Sequence, residues 1–158
     1  MIIRDATADD AEAACAVLRA SISELCRDDH RGDPQILARW LANKSPQNVA
    51  QWADGQGRSL LVAVEDGAIL AVGGLAHPGE ITVNYVSPQA RFRGISSALV
   101  AELERRALAL GAREIALLST ETAHRFYLAR GYADVGVPAG KFGTAASYPM
   151  RKTLGPAR

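Results

Sequence analysis

The sequence predicts an α/β chain of the α+β kind, with a mixed, mostly antiparallel central sheet of six to seven strands flanked by about four helices. Three observations predict it. Residues 59–86 hold three apolar or β-branched runs separated only by Asp66-Gly67 and His77-Pro78-Gly79, the pattern of an antiparallel meander. After the third run come a turn, a helical pattern and a short apolar run, a crossover that makes two strands parallel. Helical periodicity fills most of the chain before Gly55.

The elements follow in order. Ile2-Ile3-Arg4 reads as a first strand. Thr7 with Asp10 resembles a capping box, and Ala11, Cys15, Leu18, Ile22 and Leu25 continue at helical spacing. Residues 26–32 are polar and charged and read as a loop. Asp33-Pro34 starts a helix whose apolar face is Ile36, Leu37, Trp40 and Leu41, and Ser45-Pro46 starts a short one through Trp52. Strands are expected at 59–65, 68–76 and 80–86. Ile95, Leu99, Leu103, Ala107 and Leu110 form the buried stripe of the next helix, with Glu102, Glu104, Arg105 and Arg106 on its solvated face. Gly111 ends it. Residues 114–118 form a strand parallel to 80–86, and 122–130 a helix closed by Gly131. Residues 132–135 and 147–152 are the final strands, joined by a linker at 138–143 expected to be mobile.

The 158 residues suit one domain, taken as 1–158. Hydrophobic residues are 48% and charged residues 22%, ordinary values for a globular protein. A net charge of +1 gives no field that draws in nucleic acid, and an aromatic stacking platform is missing. No apolar run reaches membrane-spanning length, so no membrane partner is expected. The N-terminus lacks a signal-peptide pattern, and a cytoplasmic location is expected. Cys15 and Cys26 share no short spacing and the three histidines are scattered, so no metal is expected. The cysteines read as small apolar residues on a helix face.

The most informative stretch is Val86 to Val100: a strand end, a turn with Arg91, Arg93 and Gly94, then a helix. It aims free N–H groups and the positive end of a helix dipole at one point, a site for an anion and above all a phosphate. No Gly-Lys-Ser/Thr follows, so it is not a Walker loop. One glycine stands where a dinucleotide fingerprint needs three.

This turn, together with Ala123-His-Arg-Phe126-Tyr127-Leu-Ala-Arg-Gly131-Tyr132, resembles the GCN5-related N-acetyltransferase (GNAT) superfamily from about Leu60 to Tyr132. The superfamily's Arg/Gln-x-x-Gly-x-Gly/Ala signature falls on Arg91, Gly94 and Ser96. Ser96 departs from the last position but stays small. Thr120 stands where relatives often carry Asn, and Ala123, Phe126 and Tyr127 match the second motif.

The resemblance implies acetyl-CoA as co-substrate and an amine acceptor: a small amine, an amino acid or a protein amine. It implies a pyrophosphate turn of Arg91, Phe92, Arg93, Gly94, Ile95, Ser96 and Ser97, with solvation as the plain alternative for Arg93. It implies a β-splay, in which the strand ending at Tyr85 and Val86 leaves the next parallel strand and takes the pantetheine arm. Thr120, Ala123 and Phe126 complete the cofactor side, and a homodimer is common among similar proteins. A backbone N–H near Val86 would polarise the thioester carbonyl. Tyr127 is the expected general acid, Tyr132 a core residue. Glu80 reads either as the general base or as an ordinary strand-edge glutamate. Either Asn84 or Tyr85, on opposite faces of the strand, borders the acceptor pocket. His30, Asp28 and Asp29 read as a solvated charged loop, with an acidic rim for a cationic amine as the other reading. His124 is expected to be exposed. A non-catalytic acyl-CoA-binding module is the competing function, and a nucleotide- or nucleic-acid-binding domain a third.

Overall fold

The computed structural model describes residues 1–140 and 142–155. Ile2–Asp5 (β1) pairs antiparallel with Arg58–Glu65 (β2), β2 with Ala68–Ala76 (β3), and β3 with Glu80–Val86 (β4). Glu114–Thr120 (β5) runs parallel to β4. Ala133–Asp134 (β6) and Ser147–Thr153 (β7) complete one seven-stranded sheet in the order β1-β2-β3-β4-β5-β7-β6. Asp66 and Gly67 have φ of 51° and 77°, the left-handed pair that a two-residue hairpin turn needs.

Both faces of the central strands are covered, so their residues are apolar on both sides. Leu60, Val62 and Val72 pack against Ala14, Cys15 and Leu18 of Ala11–Leu25 (α1) and Val49 of Pro46–Asp54 (α4). Leu61, Ala63, Ala71 and Leu75 pack on the other face against Leu99 and Leu103 of Ile95–Ala109 (α5). A Cβ at Gly73 would lie 2.9 Å from the Leu99 side chain, so glycine there lets α5 close onto β3.

Two features of β4 shape the site. Its pairing with β3 steps from Leu75↔Ile81 to Gly74↔Val83, which makes Thr82 the extra residue of a β-bulge. Its pairing with β5 stops after Glu80↔Ala116 and Ile81↔Leu117. From Thr82 onward the two parallel strands diverge, and the expected splay is present.

Several boundaries differ from those expected. Residues 26–32 are not a solvated loop: Arg27–His30 forms a short helix (α2), with Asp29 and His30 only 0% and 2% exposed. His30 Nε2 donates to the Ile22 carbonyl at 3.1 Å and Nδ1 accepts the Gly32 N–H at 3.0 Å. These bonds satisfy both ring nitrogens inside the fold. Pro34–Leu41 (α3) is capped by Asp33, which accepts from Gln35 N at 2.8 Å, and α4 by Ser45, which accepts from Asn48 N at 3.2 Å. The helix expected from Thr122 begins at His124 (His124–Ala129, α6), because the Thr122 N–H and hydroxyl are held by Asp29. β5 runs on to Thr120, and β6 shrinks to two residues because Tyr132 turns into the core, 2% exposed. Glu104 is not simply solvated: it accepts from the Tyr132 hydroxyl at 2.8 Å and from Lys152 at 3.0 Å.

The linker expected to be mobile includes Lys141, which lies outside the described residues. Next to it, Arg39 Nε donates to the Phe142 carbonyl at 3.2 Å, Arg31 to that of Gly143 at 3.2 Å, and Ala139 exchanges backbone bonds with Ser147.

Candidate active site

The chain after β4 makes a short turn at Pro88–Ala90 and then reverses through Phe92 and Gly94, with φ of 62° and 76°. Gly94 caps α5, no side chain caps that end, and Ala98 N–H is the first to bond back, to the Gly94 carbonyl at 3.1 Å. The N–H groups of Ile95, Ser96 and Ser97 therefore point out of the helix start, as an anion site requires. A Cβ at Gly94 would meet nothing within 4 Å, so the backbone conformation accounts for the glycine, not crowding.

Side chains around this turn are arranged differently from the expectation. The Arg93 guanidinium is neither free nor merely solvated: it donates to Glu65 at 2.8 Å and holds that carboxyl below its ordinary range. Arg91 lies over the ring of Phe92, 4.5 Å from its centroid, and Phe92 is itself 92% exposed. Arg130, not singled out from the sequence, reaches the same point. Its Nε donates to the Ser97 hydroxyl at 2.9 Å, and its guanidinium sits 4.1 Å above the Phe126 ring. The signal was the Arg-Gly-Tyr that ends the second motif: an arginine at the C-terminal end of α6 lies beside the start of α5 once both helices pack.

Inside the splay, Tyr127 is 5% exposed and its hydroxyl oxygen accepts from Asn84 Nδ2 at 2.9 Å. Burial pushes the phenol up to about 12, and the Asn84 bond works against that shift. The Asn84 Oδ1 is buried with no hydrogen-bond partner. Thr120 Oγ1 accepts the Ala123 N–H at 3.1 Å and so shapes the turn into α6. These four residues line a cavity of about 50 Å³ between β4 and β5. Ser87 N–H donates to the Leu70 carbonyl on the β3 side at 2.7 Å. By strand alternation the N–H groups of Val86 and Asn84 face the gap.

A larger cavity of about 610 Å³ lies on the α3–α4 face. It meets the small one at Thr82, Val83, Tyr85, Leu118 and Thr120. Its walls are Trp40, Trp52, Tyr85 and Phe142, with Asp29, Lys44, Arg58, Glu80 and Arg151 as charged groups. Tyr85 thus borders both cavities, whereas Asn84 borders only the small one. Burial pushes the Tyr85 hydroxyl well above the tyrosine range. Glu80 is exposed on the cavity floor at the closed end of the splay. Asn84 lies four positions further on, about 13 Å along the strand.

Asp29 corrects the solvated-loop reading most sharply. Its carboxylate accepts from Glu121 N at 2.7 Å, from Thr122 N at 3.1 Å and from the Thr122 hydroxyl. It ties the helices over the large cavity to the turn between β5 and α6. His124 bonds Asp134 at 2.8 Å and stacks on Tyr148 with 3.7 Å between ring centroids, at the outer side of α6. Among the described residues, no group of three or more His, Cys, Asp or Glu side chains could hold a metal. No helix among them is long and apolar enough to cross a membrane.

Fold and site together define an enzyme of the acyl-transferring class. Residues 26–154 match the family described as acetyltransferase (GNAT) domain, and the chain belongs to that family. The structure resembles a GCN5-related N-acetyltransferase from Rhodopseudomonas palustris, also described as an aminotransferase of class II. Identity is 26% and TM-score 0.86, over 97% of this chain and 95% of that one. It also resembles the PaiA N-acetyltransferase of Thermoplasma acidophilum, solved with coenzyme A, at 17% identity and TM-score 0.81, over 97% and 98% of the two chains. A ribosomal-protein-alanine N-acetyltransferase from Brucella melitensis gives 22% and 0.74, over 98% and 100%. No curated protein matches the sequence.

Proposed function

We propose that the chain is an acetyl-CoA-dependent N-acetyltransferase that acts on a primary amine by direct attack in a ternary complex. One observation carries this reading: the edge of β4 from Thr82 to Val86 is unpaired, and a buried phenol waits in the gap it leaves. The residues present suit acetyl-CoA. The uncapped start of α5 offers three N–H groups to a pyrophosphate, Arg91 and Arg130 add positive charge, and the β4 edge offers backbone bonds to an extended arm.

Acetyl-CoA supplies the acetyl group already activated as a thioester. The chain does the rest. The N–H of Asn84 or Val86 polarises the carbonyl as negative charge develops on its oxygen. Tyr127 gives its proton to the departing sulfur, which a phenol that remains protonated at neutral pH can do. Glu80, at the end of a chain of several waters across the cavity, takes the proton that the attacking nitrogen loses. The cavity on the α3–α4 face brings the acceptor to the splay from the side opposite α5, with aromatic walls and a floor of mixed charge.

An acceptor screen with acetyl-CoA, reading free thiol, tests the proposal. Small amines, amino acids and protein amines form its three arms, and at least one should release thiol well above the hydrolysis background. Coenzyme A binding without thiol release in any arm would leave the acyl-CoA-binding module as the function.

A further inference from the structure

Asn84 stands out because one of its side-chain atoms is accounted for and the other is not. Nδ2 donates to the Tyr127 oxygen at 2.9 Å, while Oδ1 is buried without a partner. Buried polar atoms of this kind are rare and ask for a reason. Both residues line the 50 Å³ cavity in the splay, where a ligand group can reach them.

A phenol has one proton to give and lone pairs to receive. When Nδ2–H occupies the oxygen, the phenol proton cannot point at Asn84 and turns into the cavity. With the amide reversed, Oδ1 would take that proton and leave none for the departing sulfur. Among the described residues nothing else holds the amide either way, because Oδ1 has no donor. An N–H from the ligand's arm supplies one, and pantetheine carries two amide N–H groups.

We infer that Asn84 is the positioning residue that aims the Tyr127 proton at the leaving sulfur, with its free Oδ1 set by an amide N–H of the bound arm. The inference rests on Tyr127 being the acid. In the step itself the carbon–nitrogen bond forms and the carbon–sulfur bond breaks. The sulfur takes the Tyr127 proton, and Nδ2–H stabilises the phenolate left behind. The proton lost by the amine passes to Glu80 and from there, through water, to the phenolate, which restores both groups. The sum is amine plus thioester giving amide plus thiol.

The test uses Asn84→Ala, Asn84→Asp, Tyr127→Phe and the double variant Asn84→Ala/Tyr127→Phe, each checked for an unchanged melting curve. Asn84→Ala should lower kcat roughly tenfold and leave the acceptor KM in place, as loss of one net hydrogen bond in the transition state does. Asn84→Asp should be slower still, because a carboxylate only accepts and captures the phenol proton. The double variant should be no slower than Tyr127→Phe alone, since the two act as one unit. Calorimetry without acceptor should show coenzyme A binding roughly three- to tenfold weaker in Asn84→Ala. Asn84→Asp with wild-type turnover, or additive losses in the double variant, would overturn the inference. If Tyr127→Phe itself keeps full turnover, the acid assignment fails first. If Tyr127→Phe is slow and the Asn84 variants are not, only the role of Asn84 falls.

Discussion

The phosphate-turn side of the splay and the cavity side differ in how far along the chain their parts come from. The turn side is nearly consecutive: β4, the turn at 87–94 and α5 occupy residues 80–109, and α6 follows directly on β5. The cavity side is tied together across the chain. Asp29 reaches Glu121 and Thr122, 92 and 93 residues away. Arg39 reaches Phe142 across 103 residues, and Arg31 reaches Gly143 across 112. A local motif carries its own geometry wherever it is placed. A wall assembled at long range depends on a few contacts between distant segments, and here chiefly on one buried carboxylate.

Four measurements break or sharpen that contrast. The largest effect is expected at Asp29. Asp29→Ala removes the carboxylate that accepts from two partly buried backbone N–H groups and a hydroxyl, three charge-assisted hydrogen bonds worth together about 3 kcal/mol or more. That corresponds to a fall in melting temperature of roughly 6–12 °C for a chain of this size. A loss of less than ~1 kcal/mol would mean that the cavity side does not hang on this residue.

Second comes Tyr127→Phe, on the turn side. Turnover should drop by the order of 10²-fold with coenzyme A affinity nearly kept, because the hydroxyl acts in the chemical step. Steady-state kinetics beside a calorimetric titration separate the two quantities.

Third is Glu80→Gln, at the junction of the sides. An amine with a pKa of about 10.4 arrives protonated at neutral pH, so a base matters most in acid and least in alkali. The variant should lose roughly tenfold at the low end of the pH–rate profile and recover part of it as pH rises. A profile parallel to wild type and equally high would make Glu80 an ordinary strand-edge glutamate.

The smallest effect is expected for Gly94→Ala. With open space at the Cβ position, only the positive φ is penalised, by about 1–2 kcal/mol. Thermal unfolding reads that loss. A coenzyme A affinity that falls much further than stability would show that the added methyl also meets the ligand.

The same contrast explains what the sequence disclosed. The meander and the crossover were legible, because hairpin turns and apolar periodicity are local signals: Asp66-Gly67 and the stripe Ile95, Leu99, Leu103 are enough to place them, whereas the splay was expected from the family resemblance alone. Phe126 and Tyr127 were legible from one contiguous motif. Asp29 was not, because Arg27-Asp-Asp-His30 has the composition of a solvated turn, and only a partner some ninety residues on makes it a buried anchor. Arg130 was hidden for a similar reason, since its contact with Ser97 crosses between two helices. The choice between Asn84 and Tyr85 turned on face. The extra residue at Thr82 sets which way each points, and a bulge leaves no mark in a pattern of period two.

The short pairing of β4 with β5 has a mechanical consequence. Strands β1–β4 and β5–β7 form two plates that share a seam of two residue pairs, Glu80↔Ala116 and Ile81↔Leu117. Each plate has an inner rim of unsatisfied backbone groups, the kind of rim that elsewhere recruits another chain. Here it faces inward across a wedge that narrows to nothing at the seam, so a flat strand from a neighbouring molecule cannot lie along both rims. A slender ligand that enters from the wide end can. Its arrival would act as a spacer between the two rims, filling the wedge that the short seam leaves open.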